Sequence, residues 1–400
     1  MNFEEVIALR KAFKSVKERQ AQNVPRDFKG RKKRLKADRE FCVGNEELLA
    51  RTIDKLRKNG ITVHYVKEKN EAINVILDEI GKEKLVVKSK SNVTKEIELT
   101  KALEKKGLTV VETDIGDRIL QLLHAKPSHP TGPVTHLSAK EIAHGLSKHY
   151  GTSIKETPED IVRIVREDVI LNIGKAKIGI TGANAITAEE GSIVLTHNEG
   201  NIYEVMRKEK HIVVTSIDKI YPDIESAMNM LKILCYNATG STIPSFVEVI
   251  SGVSKTADVE KKFIKGVHYP SEVVVVLLDN KRSELAAKGF KELLQCVGCG
   301  NCLLCCPMYN TVGNEFALDN YLGGKGIAYY SLCNNEKNEK LELCLTCGKC
   351  KDNCPVELDI PALIKKIRSE GISSEIYYFL KSHAMWVYYQ TCLRLGMESK

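Results

Sequence analysis

The sequence predicts an α/β domain with a mostly parallel sheet, joined to a smaller α-helical domain organised around cysteines. From residue 45 to about 280, segments of strand period alternate with segments of helix period. That is the pattern of strands paired in parallel through right-handed crossovers. The second observation is a pair of cysteine motifs of one form, Cys296-x2-Cys299-x2-Cys302-x3-Cys306-Pro307 and Cys344-x2-Cys347-x2-Cys350-x3-Cys354-Pro355. The third is composition: 43% of the 400 residues are hydrophobic, enough for a sizeable core. No run of about 18 apolar residues marks a membrane span.

Residues 1–44 read as a basic helical arm. Val6, Ile7, Phe13 and Val16 share one helical face, and Pro25 and Gly30 interrupt it. The run Arg31-Lys32-Lys33-Arg34-Leu35-Lys36 lacks interleaved aromatics, so it reads as a solvated face, and no nucleic-acid partner is expected. The N-terminus carries acidic residues at once and has no apolar signal-peptide stretch, which predicts a cytoplasmic protein.

The α/β domain is expected over 45–284. Asn45 suits the N-cap of a helix through Leu56, Gly60 closes it, and Ile61 to Val66 forms a strand. A helix near Glu71 to Ile80, a strand at Leu85 to Val87, a helix near Glu96 to Lys105 and a strand at Leu108 to Glu112 follow. A polar, proline-rich loop carries Pro127, His129 and His136. Helices are then expected from Ser138 to Tyr150 and from a Thr157 cap, where Glu159 and Asp160 suit a helix N-terminus.

A short strand, Ile178 to Ile180, opens into a glycine-rich loop from Thr181 to Ser192. Past a strand from Ile193 to Thr196 lies a second polar turn, His197 to Asn201. Gly182, Gly191 and Gly200 would let the backbone approach a ligand, and Asn184, Asn198 and Glu199 would supply oriented donors and acceptors. Binding sites in open α/β sheets lie at such carboxyl ends. The same glycines also suit turns that need positive φ. A strand at Ile212 to Ser216, a helix from Asp223 to about Tyr236, and strands at Phe246 to Ile250 and Val273 to Leu278 complete the domain. Asp279-Asn280-Lys281-Arg282 leads toward the cysteines.

The helical domain is expected over 285–370. Three cysteines spaced by two residues wrap one corner of an iron–sulfur cube, and the fourth, before proline, ligates the neighbouring cluster. By that crossed rule Cys296, Cys299, Cys302 and Cys354 hold one 4Fe-4S cluster, and Cys344, Cys347, Cys350 and Cys306 hold the other. Zinc is the alternative, but four ligands satisfy it, and nothing then explains a third step plus Cys-Pro in both copies. The formal charge of +8, from 60 Lys and Arg against 52 Asp and Glu, counts the thiols as neutral. Two ligated clusters bring about −4, so the loaded protein is only mildly basic. Cys42, Cys235, Cys333 and Cys392 read as structural, as does Cys305, for which a substitute ligand is the alternative. A helix from Leu358 to Arg368 has Pro361 near its first turn. Residues 371–400, with Tyr377 and Trp386, read as an aromatic C-terminal helix that docks a partner.

Several of these stretches resemble one family. Lys88-Ser89-Lys90-Ser91, Glu112 to Asp117, Pro127-Ser128-His129, Gly179 to Asn184, Ala188 to Ile193 and Asn198 to Asn201 are similar, in order and spacing, to the LUD-domain iron–sulfur proteins of bacterial lactate utilisation. The resemblance covers residues 45 to 355. It implies a fold related to ribose-phosphate isomerases and CoA-transferases, fused to a helical two-cluster ferredoxin, and one role among three proteins that oxidise L-lactate. Ala185 stands where the family usually has an aromatic, and Glu190 where it has threonine. The segment around the second motif is similar to the helical ferredoxin subunits of heterodisulfide reductases.

The expected function is an iron–sulfur electron-transfer subunit of a lactate-type 2-hydroxy-acid oxidation complex. If the LUD loops bind the hydroxy acid, the resemblance implies that Lys88 or Lys90 meets its carboxylate and that His129 or Glu189 moves its proton. Oxidising a hydroxy acid removes a hydride equivalent, whereas clusters pass single electrons, so a two-electron carrier must stand between them. No Gly-x-Gly-x-x-Gly opens a helix after a strand, so a flavin is expected only on a partner. That partner would be a flavoprotein or a cysteine-rich iron–sulfur protein. Two other classes fit the residues. One is a heterodisulfide-reductase-like carrier or scaffold with no chemistry in the α/β domain. The other is a CoA-transferase-like enzyme with Glu189 or Glu190 as nucleophile.

Overall fold

The structure, a computed structural model, describes residues 3–336, 338–369 and 387. The expected aromatic helix and Cys392 lie outside the described residues, apart from Val387. Among the described residues no helix is long and apolar enough to cross a membrane.

The strands in chain order are β1 Thr62–Val66, β2 Leu85–Lys88, β3 Thr109–Glu112, β4 Ile178–Thr181, β5 Ala185–Thr187 and β6 Ser192–His197. β7 Lys210–Ser216, β8 Ile220–Tyr221, β9 Phe246–Ile250, the short pair β10 Lys255–Thr256 and β11 Ile264–Lys265, and β12 Glu272–Leu278 follow. The main sheet has six strands in the order β1-β12-β7-β4-β2-β3. Every pairing in it is parallel.

The parallel sheet follows from the run Val273–Leu278, which is buried throughout because helices or a second sheet cover both faces. Alternation sorts the two faces. Val274, Val276 and Leu278 pack with Ala72, Ile76 and Ile80 of the helix Lys69–Ile80, while Val275 and Leu277 pack with Ile186, Ile193 and Leu195. The latter three belong to a four-stranded sheet of order β8-β5-β6-β9.

The expected loop from Thr181 to Ser192 is therefore partly strand. β5 pairs antiparallel with β6, which neither short segment announces alone. The single helix expected from Glu96 to Lys105 is two, Asn92–Glu96 and Leu99–Lys105, broken where Glu98 takes φ 51. Ser91 starts the first, accepting the Thr94 N–H. The helix Gly323–Asn334, between the cysteine motifs, has no strong propensity because three glycines lie in its first turn. Packing explains them: a Cβ on Gly326 would collide with the Tyr321 backbone, and one on Gly324 would crowd Ile364. The helix Ile115–Leu123, capped by Asp114, was likewise not foreseen.

The arm is two helices, Phe3–Gln22 and Phe28–Cys42, separated near Pro25, with Gly30 inside the second. Leu9, Phe13 and Leu35 join one apolar core with Leu231 and Leu234 of the α/β domain and with Leu293 and Tyr309 of the cysteine-bearing domain. Arg39 is fully buried and donates to the carbonyls of Leu294 at 2.7 Å and Gln295 at 3.1 Å. The arm thus binds both domains together.

Close approach explains one glycine at a sheet centre. Gly179 in β4 lies so near the Val205 carbonyl that a Cβ would occupy the same space. Gly179→Ala is expected to cost about 1–3 kcal/mol or more through overpacking, read as a lower thermal midpoint.

Candidate functional site

Left-handed turns set the cysteine geometry. Gly298 and Gly300 both take φ 76, folding the chain back between Cys296 and Cys302, and Gly300 caps the helical turn Asn301–Leu304. The second motif repeats the device: Thr346 has φ 51 and Gly348 φ 82, and Gly348 caps Lys349–Asp352. Cys354 lies within electrostatic reach of Cys296, Cys299 and Cys302. Cys306, Cys344, Cys347 and Cys350 line one small cavity.

Backbone N–H groups point at the sulfurs. Gly298 donates to Cys296 Sγ at 3.4 Å and Tyr309 to Cys306 Sγ at 3.5 Å. Such donors favour the anionic, metal-bound form of sulfur. Burial first, then neighbouring thiols, push Cys350 up to about 12, and burial likewise raises Cys299, Cys302 and Cys306. Such a nest ionises only around a cationic centre. Among the described residues no three His, Cys, Asp or Glu side chains converge on a single ion. Zinc needs its sulfurs about 2.3 Å away, gathered on a point. Three cysteines spaced by two residues and closed by Cys-Pro, present in both motifs, fit a four-iron cube instead. The Cys305 thiol is engaged by the carbonyls of Cys302 at 3.4 Å and Lys349 at 3.3 Å, between the two sets.

A cavity of about 290 Å³ lies at the carboxyl ends of the parallel strands. Lys90, Asp114, Glu199, Asn184 and Asn198 belong to its polar lining, and Leu231 and Leu234 to its apolar lining. Val297 and Gly298, between the first two cysteines of the first motif, also line it. Lys90 Nζ is committed to Asp114 Oδ2 at 2.6 Å and to the Thr131 carbonyl at 3.1 Å. Burial and the charge of Asp114 raise Glu199 to about 7, against one Ile115 N–H bond that favours its charged form.

Gly182 lines this cavity, and a Cβ there would meet Ser91. Gly191 and Gly200 do not line it. Gly191 packs on the Lys55–Leu56 backbone at φ 63, and Gly200 caps the helix Asn201–Met206 at φ 82. Both are turn glycines.

Three of the expected catalytic residues lie elsewhere. Lys88 is sealed under the sheet end, paired with Glu112 at 2.9 Å, so it has no route to a ligand. Glu189 is half-exposed and paired with Arg51, because its backbone turns outward to hydrogen-bond Pro222. Glu190 Oε1 accepts the Ile224 N–H. With neither glutamate in the cavity, the CoA-transferase-like reading loses its nucleophile.

His129 faces the iron–sulfur module instead of this cavity. Its Nδ1 accepts the N–H groups of Thr131 and Gly132, each at 3.3 Å, which leaves Nε2 to carry the proton. Nε2 lies against Gly300, where a Cβ would collide with it. Burial lowers His129 to about 4, so the ring is neutral and braces the first cysteine loop.

A second cavity, about 170 Å³, reaches Cys296 and Cys302. Four cations line it, Lys95, Lys219, Arg282 and Lys325, against the carboxylates Glu96 and Asp218. Arg282 binds Glu96 Oε2 at 2.7 Å and Asp218 Oδ1 at 2.5 Å. Lys219 lines both cavities. The sequence singled out Arg282 only as the end of a strand, and Lys219 not at all; its one signal is its place just past the carboxyl end of β7, on the binding edge of the sheet.

An α/β domain whose ligand cavity shares a wall with a two-motif cysteine module defines an iron–sulfur redox protein. A LUD domain model matches residues 49–278, and a 4Fe-4S dicluster domain model matches residues 292–358. The chain belongs to the LUD domain family and carries a 4Fe-4S dicluster domain. It is 34% identical over 329 residues to lactate utilization protein B of Lysinibacillus sphaericus, covering 80% of this chain and 67% of that protein. The protein of the same name from Bacillus cytotoxicus is 33% identical over 328 residues with the same coverage. That from Bacillus pumilus is 32% identical over 336 residues, covering 82% and 69%. A solved DUF162 family structure from Deinococcus radiodurans covers 58% of this chain and 97% of that one at 14% identity, with a TM-score of 0.33, too low to carry an argument.

Proposed function

We propose that the chain is the cytoplasmic iron–sulfur electron-transfer subunit of a complex that oxidises a 2-hydroxy acid of the lactate type. The observation that supports this best is the shared wall: Val297 and Gly298 of the first cysteine loop border the LUD cavity. A ligand there lies against the first cluster site. Cys347 of the second set is exposed, which gives that site a surface for a redox partner. The residues that would hold the clusters are Cys296, Cys299, Cys302 and Cys354 for the first, and Cys306, Cys344, Cys347 and Cys350 for the second. When bound, the clusters supply one-electron steps. The two-electron carrier belongs to a partner, a flavoprotein or a cysteine-rich iron–sulfur protein. The names of its relatives favour lactate over other hydroxy acids.

Anaerobic purification from the native host, with identification of co-eluting chains, tests the proposal. About eight irons per chain and loss of visible cluster absorbance on adding L-lactate to the complex are expected. Loaded clusters that ignore every 2-hydroxy acid in the presence of all co-eluting partners would overturn it and favour a carrier for another reaction.

A further inference from the structure

Lys219 is the cation with the least compensated charge on the wall of the LUD cavity. Lys90, the other lysine there, already has Asp114 at 2.6 Å. The nearest carboxylate to Lys219 is Asp218 Oδ2, at 3.9 Å. Asp218 is itself engaged, accepting from Ser216 Oγ at 2.6 Å and from Arg282. The Lys219 side chain is only 20% exposed. A largely buried ammonium held by a spent carboxylate is costly, and an anion placed beside it removes that cost. Arg39 and Lys325 add positive potential at the same place, and Asp218 and Cys296 offset part of it.

The rest of the wall selects the kind of anion. Leu231, Leu234 and Ala238 give it an apolar side that takes a short alkyl group. Asn184 Oδ1 accepts the Thr196 N–H and Asn198 Oδ1 accepts the Ser245 N–H, so each amide group keeps its N–H donors for a ligand oxygen. Asp114, already neutralised by Lys90, and Glu199, which burial and Asp114 raise to about 7, offer no second cationic partner, so nothing there favours a second acid group. We infer that the LUD cavity binds a small monocarboxylate bearing a 2-hydroxy or 2-oxo group, with its carboxylate on Lys219. The inference rests on the reading of this chain as part of a hydroxy-acid-oxidising complex. It puts the ligand between Lys219 and the Val297–Gly298 wall.

The test uses the cluster-loaded full chain under anaerobic conditions, with L-lactate and pyruvate as probes and equilibrium binding as the readout. Saturable binding of at least one probe is expected, at least tenfold weaker in Lys219→Gln and largely restored in Lys219→Arg. In the chain reduced with dithionite, a bound probe should also alter the electron paramagnetic resonance signal of the first cluster and leave that of the second unchanged. Asn198→Asp provides a separate arm. It keeps the acceptor for Ser245, sits on an exposed residue, and adds a negative charge that should weaken binding severalfold.

Wild-type binding that neither Lys219→Gln nor Asn198→Asp weakens overturns the inference, as does a wild-type chain that binds neither probe. The complex is assayed in parallel. If it still reduces its clusters with L-lactate, the proposed function stands, and the substrate sits elsewhere on this chain in the first case and on a partner in the second.

Discussion

Cys354→Ala is expected to empty or damage the cluster held by Cys296, Cys299 and Cys302, although Cys354 belongs to the other motif. Iron should fall from about eight to about four per chain. The fold gives the reason: Cys354 sits among the cysteines of the first motif, near enough to raise Cys299 and Cys302 electrostatically. Paired variants identify the lost cluster. Adding Cys299→Ala should cost almost no further iron, because both changes strike one cluster. Adding Cys347→Ala should remove nearly all of it. The reverse pattern in iron and sulfide counts would show that each motif holds its own cluster.

Arg282→Met is expected to lower stability at pH 8 by about 3–5 kcal/mol, because it leaves buried carboxylates without their partner. Arg282 is 6% exposed, and Glu96 and Asp218 are each 10% exposed. Burial pushes the Asp218 carboxyl up, but Arg282, then Lys219 and Arg39, pull it further down, to well below the usual carboxylate range. A carboxyl depressed in the fold contributes stability above its unfolded value of about 3.9 and loses it only in stronger acid, so the native contribution is constant from pH 5 to 8. Without Arg282 burial gains weight and the folded value rises. The variant then binds more protons folded than unfolded and loses stability as pH increases. The deficit should therefore widen from pH 5 to 8, measured as thermal midpoints with clusters intact. A deficit under about 1 kcal/mol, the range of an exposed pair, would show that the network is solvated.

The cysteine module was legible because its ligands are close in the chain. A motif of fixed spacing folds into the same turns wherever it occurs, and the repeated Gly300 and Gly348 caps show those turns. The alternating pattern likewise displayed the strands of the main sheet, since parallel strands buried on both faces are apolar runs. Pairings between short segments were not legible. β5 reads as loop until β6 and β8 lie beside it.

Residue types around the LUD loops indicated a polar site but not which side chains enter it. Lys88 is the last residue of β2 and Lys90 lies past its end, so strand alternation does not fix where the second side chain points. One is sealed against Glu112, and the other reaches the cavity. Glu189 matched a motif that serves a turn. Its side chain ends on Arg51, about 140 residues earlier, by a meeting that local pattern does not encode.

By itself the sequence determined the fold class, the cysteine ligands to be expected and the absence of a nicotinamide fingerprint, since each depends on residue type and local spacing. Only the tertiary structure decided which lysines line the cavity at the sheet edge, which histidine braces the first cysteine loop, and how closely that cavity adjoins Cys296. Those depend on contacts between segments far apart in the chain. Packing, charge and desolvation select such contacts together when the arm, the sheet and the cysteine module close on one another.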